Sequence, residues 1–143
     1  QVFNGTSGYQ QRGPQKKDLD EEETKELKDE KGIFPQLSYL SSDYKLDYLG
    51  SGNYNNEATY RLKVVMPSGK TSIQQYSIKS SLLLQEEATT ADGKVETTVY
   101  NDYRKAGNIT LPFEITKNRD EQEVTFKVTE IKFNDGVSSQ DFQ

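Results

Sequence analysis

Between residues 109 and 115 the chain alternates strictly, with Ile109, Leu111, Phe113 and Ile115 set against Thr110, Pro112 and Glu114. A period of two marks a strand with one buried face. The preceding segment, Tyr100 to Tyr103, turns through Lys105-Ala106-Gly107-Asn108, so residues 100–117 read as a β-hairpin with one apolar side. Pro112 interrupts the returning strand. Its missing N–H predicts either an edge position or a local irregularity there.

The same alternation recurs along most of the chain. Residues 44–50 form a strand that ends at the glycine-rich 51–56. Residues 58–66 set Tyr60, Leu62, Val64 and Met66 against Arg61 and Lys63. Pro67 and Gly69 then suit the first and third positions of a type II turn over 67–70. Strands follow over 71–79, with Tyr76 and Ile78 in phase, over 82–89, and, after a turn at 91–94, over 95–103. The last long strand, 123–133, carries Val124, Phe126 and Val128, then Ile131 and Phe133. Its phase slips at Thr129-Glu130, as at a bulge or bend. Near the start, Val2 and Phe3, a turn at Asn4-Gly5 and then Tyr9 predict a short hairpin, with 11–17 a polar loop.

One segment has helical character. In 18–31, Asp18 or Asp20 caps the start, Asp20 and Glu23 have capping-box spacing, and Gly32 is the stop. Glutamates lead and Lys28 and Lys31 follow, which complements the helix dipole. Its apolar residues are few: Leu19 and Leu27, then Ile33, Phe34, Leu37 and Leu40 beyond the glycine. Residues 134–143 read as a polar arm anchored at Phe142. The connections are short, so the sheet is antiparallel. The fold class is mainly β (α+β), about seven strands with one helix covering a face, in a single domain spanning 1–143.

Composition narrows the picture. Of 143 residues, 31% are hydrophobic and none is Trp, and the mean hydropathy is −0.92. The usual apolar share is about 45–50%, so the core is thin for the length. A net charge of −5, with no basic run longer than Lys16-Lys17, argues against nucleic acid and anionic membranes as partners. No apolar run approaches the roughly 18 residues of a membrane span. No signal peptide is visible, and the chain begins at Gln1 without Met, as expected of a processed or excised piece.

The residues available for chemistry are limited. There is no Cys and no His, which removes disulfides, thiolate metal sites, and the commonest zinc ligand and general base. No cofactor, metal or catalytic residue is expected. Glu86 and Glu87 are neighbours on a strand and point to opposite faces, so they are not a paired acid and base. The acidic run from Asp18 reads as a solvated helix face and lacks the alternation and central glycine of a calcium loop. No serine sits in a Gly-x-Ser-x-Gly elbow. The sequons at Asn4 and Asn108 matter only in a eukaryotic secretory protein. Nine tyrosines are the unusual feature. They serve either as amphipathic caps on a thin core or as a groove lining.

The order of elements resembles a known family. The segments "PSGK…YSIKSSLLLQEE", "NDYR…G…LPFEI" and "VTEIKFNDGVSSQDF" are similar to the carboxy-terminal two-thirds of LolA-like outer-membrane lipoprotein-sorting proteins, in the version common in Bacteroidetes. The resemblance implies a curved antiparallel sheet, an incomplete barrel around helices, with a hydrophobic cavity that takes acyl chains in the carriers. It places the family's opening strands and helix before Gln1. It implies a periplasmic or envelope location and a non-enzymatic lipid- or lipoprotein-binding role. On the curved sheet, the concave face is expected to carry Leu62, Val64, Tyr76, Ile78, Leu83, Val99, Ile109, Leu111, Phe113, Ile115, Phe126 and Val128. Leaving such side chains open costs roughly 1.5–3 kcal/mol each, so helix 18–31, a ligand or another domain must cover them. The module also occurs at the carboxy terminus of insulinase-like zinc peptidases. The alternative is therefore an accessory domain of such an exported enzyme, without ligand or catalysis of its own.

Overall fold

In the computed structural model, which describes residues 1–29, 32, 34–89, 93–120, 122–133 and 138, the chain divides into two compact units. One is built on Gln1–Tyr44 with Met66–Ser68, the other on Lys45–Val65 with Gly69–Ile131.

The first unit holds a three-stranded antiparallel sheet, β1 (Val2–Phe3), β2 (Gly8–Arg12) and β3 (Gln15–Asp18). The polar loop expected over 11–17 is mostly strand. β2 runs to Arg12, the turn at Gly13-Pro14 is tight, and Gln10 pairs with Lys17. A hairpin this polar has no alternation to betray it. Asn4 closes the first turn, its Oδ1 accepting from the N–H groups of Thr6 and Ser7 at 2.9 Å each.

Helix α1 spans Glu21–Asp29, starting later than residue 18, and its start is settled by a reciprocal cap. Glu23 N–H donates to Asp20 Oδ1 and Asp20 N–H to Glu23 Oε2, both at 2.9 Å. Asp20 therefore caps the helix and Asp18 belongs to β3. Gly32, with φ of 99°, takes the left-handed conformation expected of a helix stop. A 3-10 helix over Pro35–Leu40 follows, where sequence alone offered scattered apolar residues. In this unit Asp29 is buried and accepts at Oδ2 from Ser68 N–H at 3.1 Å.

The second unit is a curved seven-stranded antiparallel sheet that does not close into a barrel. Its order is β10-β9-β8-β7-β6-β5-β4, with β4 at Lys45–Tyr54, β5 at Glu57–Val65, β6 at Thr71–Ser77, β7 at Leu83–Thr89, β8 at Val95–Ala106, β9 at Ile109–Arg119 and β10 at Gln122–Lys127. Every neighbour in space is a neighbour in sequence. β4 continues past Gly50 instead of ending there. A register shift between Tyr48 and Ser51 takes up Gly50, and Gly52, paired with Thr59, lies under Arg61, whose Cδ would stand 2.7 Å from an added Cβ.

The 100–117 hairpin forms as read, in one register from Thr97–Asn118 to Ala106–Ile109 with no pair at Asp102 and Phe113. Pro112 lies opposite Tyr103. The β10 ladder flanks β9 only from Arg119 to Glu114, so the Pro112 stretch of β9 has no β10 neighbour. Across from it Asp102 adopts φ of 51°, and Arg104 clamps its carboxylate with bonds of 2.8 and 2.5 Å. Both the edge position and the irregularity are present. β10 stops at Lys127 rather than running to 133, so the phase slip at Thr129-Glu130 lies beyond the strand instead of marking a bulge within it. The expected turn at 91–94 in part, Ile33, Lys31, and the arm 134–143 with Phe142, apart from Ser138, lie outside the described residues.

Candidate functional site

Cross-strand partners share a face, so the registers assign every strand residue to one side of the large sheet. One side carries the rows Leu46–Val64–Ser72–Ala88–Glu96, Leu62–Gln74–Glu86–Thr98–Lys117–Val124, Tyr60–Tyr76–Leu83 and Tyr100–Ile115–Phe126. Alternation along β9 adds Ile109, Leu111 and Phe113. We call this the Phe113 face.

Among the residues singled out from sequence, Leu62, Val64, Tyr76, Leu83, Ile109, Leu111, Phe113, Ile115 and Phe126 all lie on it. Val99 does not. It pairs with Gln85 and Thr116 on the opposite side. Val99 and Tyr100 are adjacent, only one of them faces Ile115, and the register selects the tyrosine. Ile78 and Val128 lie just outside the strands; Ile78 N–H donates to Ala58 O at 3.0 Å and Val128 N–H to Phe113 O at 2.8 Å.

Burial divides the Phe113 face into a centre and two margins. Val64, Leu83, Ala88, Ala106 and Phe113 are buried. The outer positions are open: Leu46 is 41% exposed, Tyr48 62% and Tyr60 48% on one side, Val124 51% and Phe126 53% on the other. Arg104 stacks its guanidinium over the Phe113 ring at 4.9 Å.

The centre is not wholly apolar. Gln74, 1% exposed, donates to Glu86 Oε1 at 3.0 Å and Ser72 Oγ at 3.3 Å, and accepts from Tyr76 Oη at 2.6 Å. Tyr100 Oη donates to the other Glu86 oxygen at 3.3 Å, and Lys117 pairs with Glu96 at 3.5 Å. This polar row went unread in the sequence. Its signal was there: the phase that puts Tyr76 inward also puts Ser72 and Gln74 inward and Ile73 outward.

The opposite face is built from polar ladders. Gln75 Nε2 donates to Gln85 Oε1 at 2.7 Å, Thr59 Oγ1 to Gln75 Oε1 at 3.1 Å, and Thr116 and Thr125 share a hydroxyl bond of 3.0 Å. Glu87 lies here and Glu86 on the Phe113 face, so the two point apart. Tyr103 Oη donates to Leu83 O at 2.6 Å, and burial pushes its phenol up to about 12 from the usual 10. The folded state therefore holds this proton more tightly than the unfolded chain does. Stability from it is complete below about pH 10 and is lost as pH rises towards about 12. Urea unfolding across that window is expected to show the loss in the wild type and a smaller one in Tyr103→Phe. Equal slopes would show that Tyr103 does not contribute.

A depression of about 660 Å³ in the first unit is lined by Gln10, Arg12, Pro14, Gln15, Lys16 and Lys17, a polar and basic set unsuited to an acyl chain. Among the described residues, no group of three acidic side chains converges to hold a metal ion. No described helix is long and apolar enough to cross a membrane.

No protein-family profile and no curated protein matches the chain. Solved structures do. A domain assigned to an outer-membrane lipoprotein-sorting protein of Vibrio parahaemolyticus superposes with a TM-score of 0.58 at 14% identity, over 70% of this chain and 46% of that one. A DUF1329 family protein from Desulfovibrio piger gives 0.59 at 15%, over 71% and 45%. A LolA superfamily protein from Nitrosomonas europaea gives 0.50 at 14%, over 64% and 48%. The chain thus spans less than half the length of these similar structures. At 14–15% identity the likeness is one of fold, and on that ground this chain has the LolA-like fold.

Proposed function

We propose that this chain is a non-enzymatic domain of a bacterial envelope protein that holds the acyl part of a lipid or lipoprotein against the Phe113 face. The observation that carries this reading is the exposure gradient across that face. Large apolar side chains continue outward from the buried Val64, Leu83 and Phe113 to the open Leu46, Tyr48, Val124 and Phe126. A sheet needing only its own core has no use for apolar residues on both outer strands, whereas a flexible hydrocarbon chain gains from each of them. The likeness to a lipoprotein-sorting domain supports the same ligand class.

Native mass spectrometry of the gently purified chain, with added phospholipid in a second sample, tests the reading. A bound mass of fatty-acid or phospholipid size is expected on the wild type and is expected to be lost in Leu111→Asp. Leu46→Asp, at an exposed margin, guards against misfolding and is expected to weaken binding with its circular dichroism unchanged. A bare 16.3 kDa chain that ignores added phospholipid would overturn the acyl-binding role.

A further inference from the structure

The two outer strands of the large sheet are finished differently. β4 carries a register shift between Tyr48 and Ser51, and Gly50 there adopts φ of 91°. Such a bulge twists an edge away from further pairing. β10 has no such device. It pairs with β9 without a shift from Gln122–Arg119 to Lys127–Glu114, and all its residues are exposed.

From this edge we infer that β10 is the contact strand of a homodimer, in which two copies pair antiparallel about a dyad at Thr125 and join their sheets into one. The backbone sets the first condition. Val128 N–H donates to Phe113 O, so by alternation Val124 and Phe126 turn their backbone groups towards β9. Glu123, Thr125 and Lys127 then turn theirs to the edge that no described strand occupies. A dyad at Thr125 places Thr125 opposite its own copy and Glu123 opposite the second copy's Lys127. Each outward N–H and C=O of these three residues thereby gains a partner.

The side chains set the second condition, and the same register meets it. Glu123 faces a lysine directly, and Lys127, already 3.1 Å from Glu114 in its own sheet, comes to lie between two carboxylates. On the Phe113 face, Val124 meets the second copy's Phe126, and both are about half exposed without it (51% and 53%). Sliding the dyad to Val124 sets Glu123 against threonine. Sliding it to Phe126 sets Lys127 against threonine. Only the Thr125 dyad pairs unlike charges, and cross-strand charge pairs select register. The contact is one strand wide, so the association is concentration-dependent. It does not rest on the acyl-chain reading.

Sedimentation of the full chain across a dilution series tests this. The wild type is expected to move from 16.3 kDa towards twice that mass as concentration rises. Thr125→Pro removes an outward N–H and leaves the β9 ladder intact, and it is expected to abolish the dimer. Glu123→Lys and Lys127→Glu each place like charges opposite one another and are expected to weaken it by about tenfold or more. Mixing the two charge variants restores both unlike pairs and is expected to recover a dimer, which requires that both variants fold. A wild type that stays monomeric throughout would overturn the inference. So would a dimer indifferent to Thr125→Pro, or folded charge variants that do not recover association on mixing.

Discussion

Phe113→Ala is expected to cost about 3–5 kcal/mol of folding stability, while Phe126→Ala on the same face is expected to cost less than about 1 kcal/mol. The two differ in surroundings, not in kind. Phe113 is 9% exposed in mid-β9 beneath the Arg104 guanidinium, whereas Phe126 is 53% exposed on the outer strand. Truncating the first removes transfer energy and leaves a void that the surrounding side chains cannot fully collapse to fill. Truncating the second mostly returns surface to water it already touches. Urea midpoints for the two variants check the contrast, and equal losses would mean that the centre of the face is not closed as described.

Gln74→Glu is expected to destabilise the fold by about 3 kcal/mol or more near neutral pH. The side chain is 1% exposed and its amide nitrogen stands 3.0 Å from Glu86 Oε1. A carboxylate there meets another carboxylate out of water, so the introduced acid holds its proton well above the ordinary range. The sign follows from that shift. Below the unfolded value of about 4.3 the protonated acid can still donate its one O–H to Glu86, giving up only the amide's bond to Ser72, and the deficit is smallest there. As pH rises towards the folded value the deficit grows. Denaturation of the variant and wild type in parallel from acidic to neutral pH measures it. A deficit that does not vary with pH would sink the Gln74–Glu86 contact as the cause.

Much of the architecture was legible because local physics dictated it. Alternation at Ile109, Leu111, Phe113 and Ile115 specifies a strand and its inward side wherever that strand ends up. Asp20 and Glu23 cap a helix through bonds spanning three residues, and Gly69 turns the chain with its own φ of 93°. Short loops between alternating segments leave little but a meander. Where alternation was missing, reading failed. The Gln15–Asp18 strand is entirely polar and exposed, and the 3-10 helix at Pro35–Leu40 has no period of its own.

The Phe113 face was legible as a set of apolar positions but not as a surface. By itself the sequence determined an antiparallel, mainly β chain, a capped helix, and the absence of Cys and His chemistry, since these depend on residue identity and near neighbours. Register decided the rest. It turned Val99 away and Tyr100 inward, threaded Ser72, Gln74 and Glu86 through the apolar face, and left Val124 and Phe126 open on a regular edge. Which residue faces which across a sheet is fixed by bonds between segments far apart in the chain, and a slip of one residue reverses every side chain.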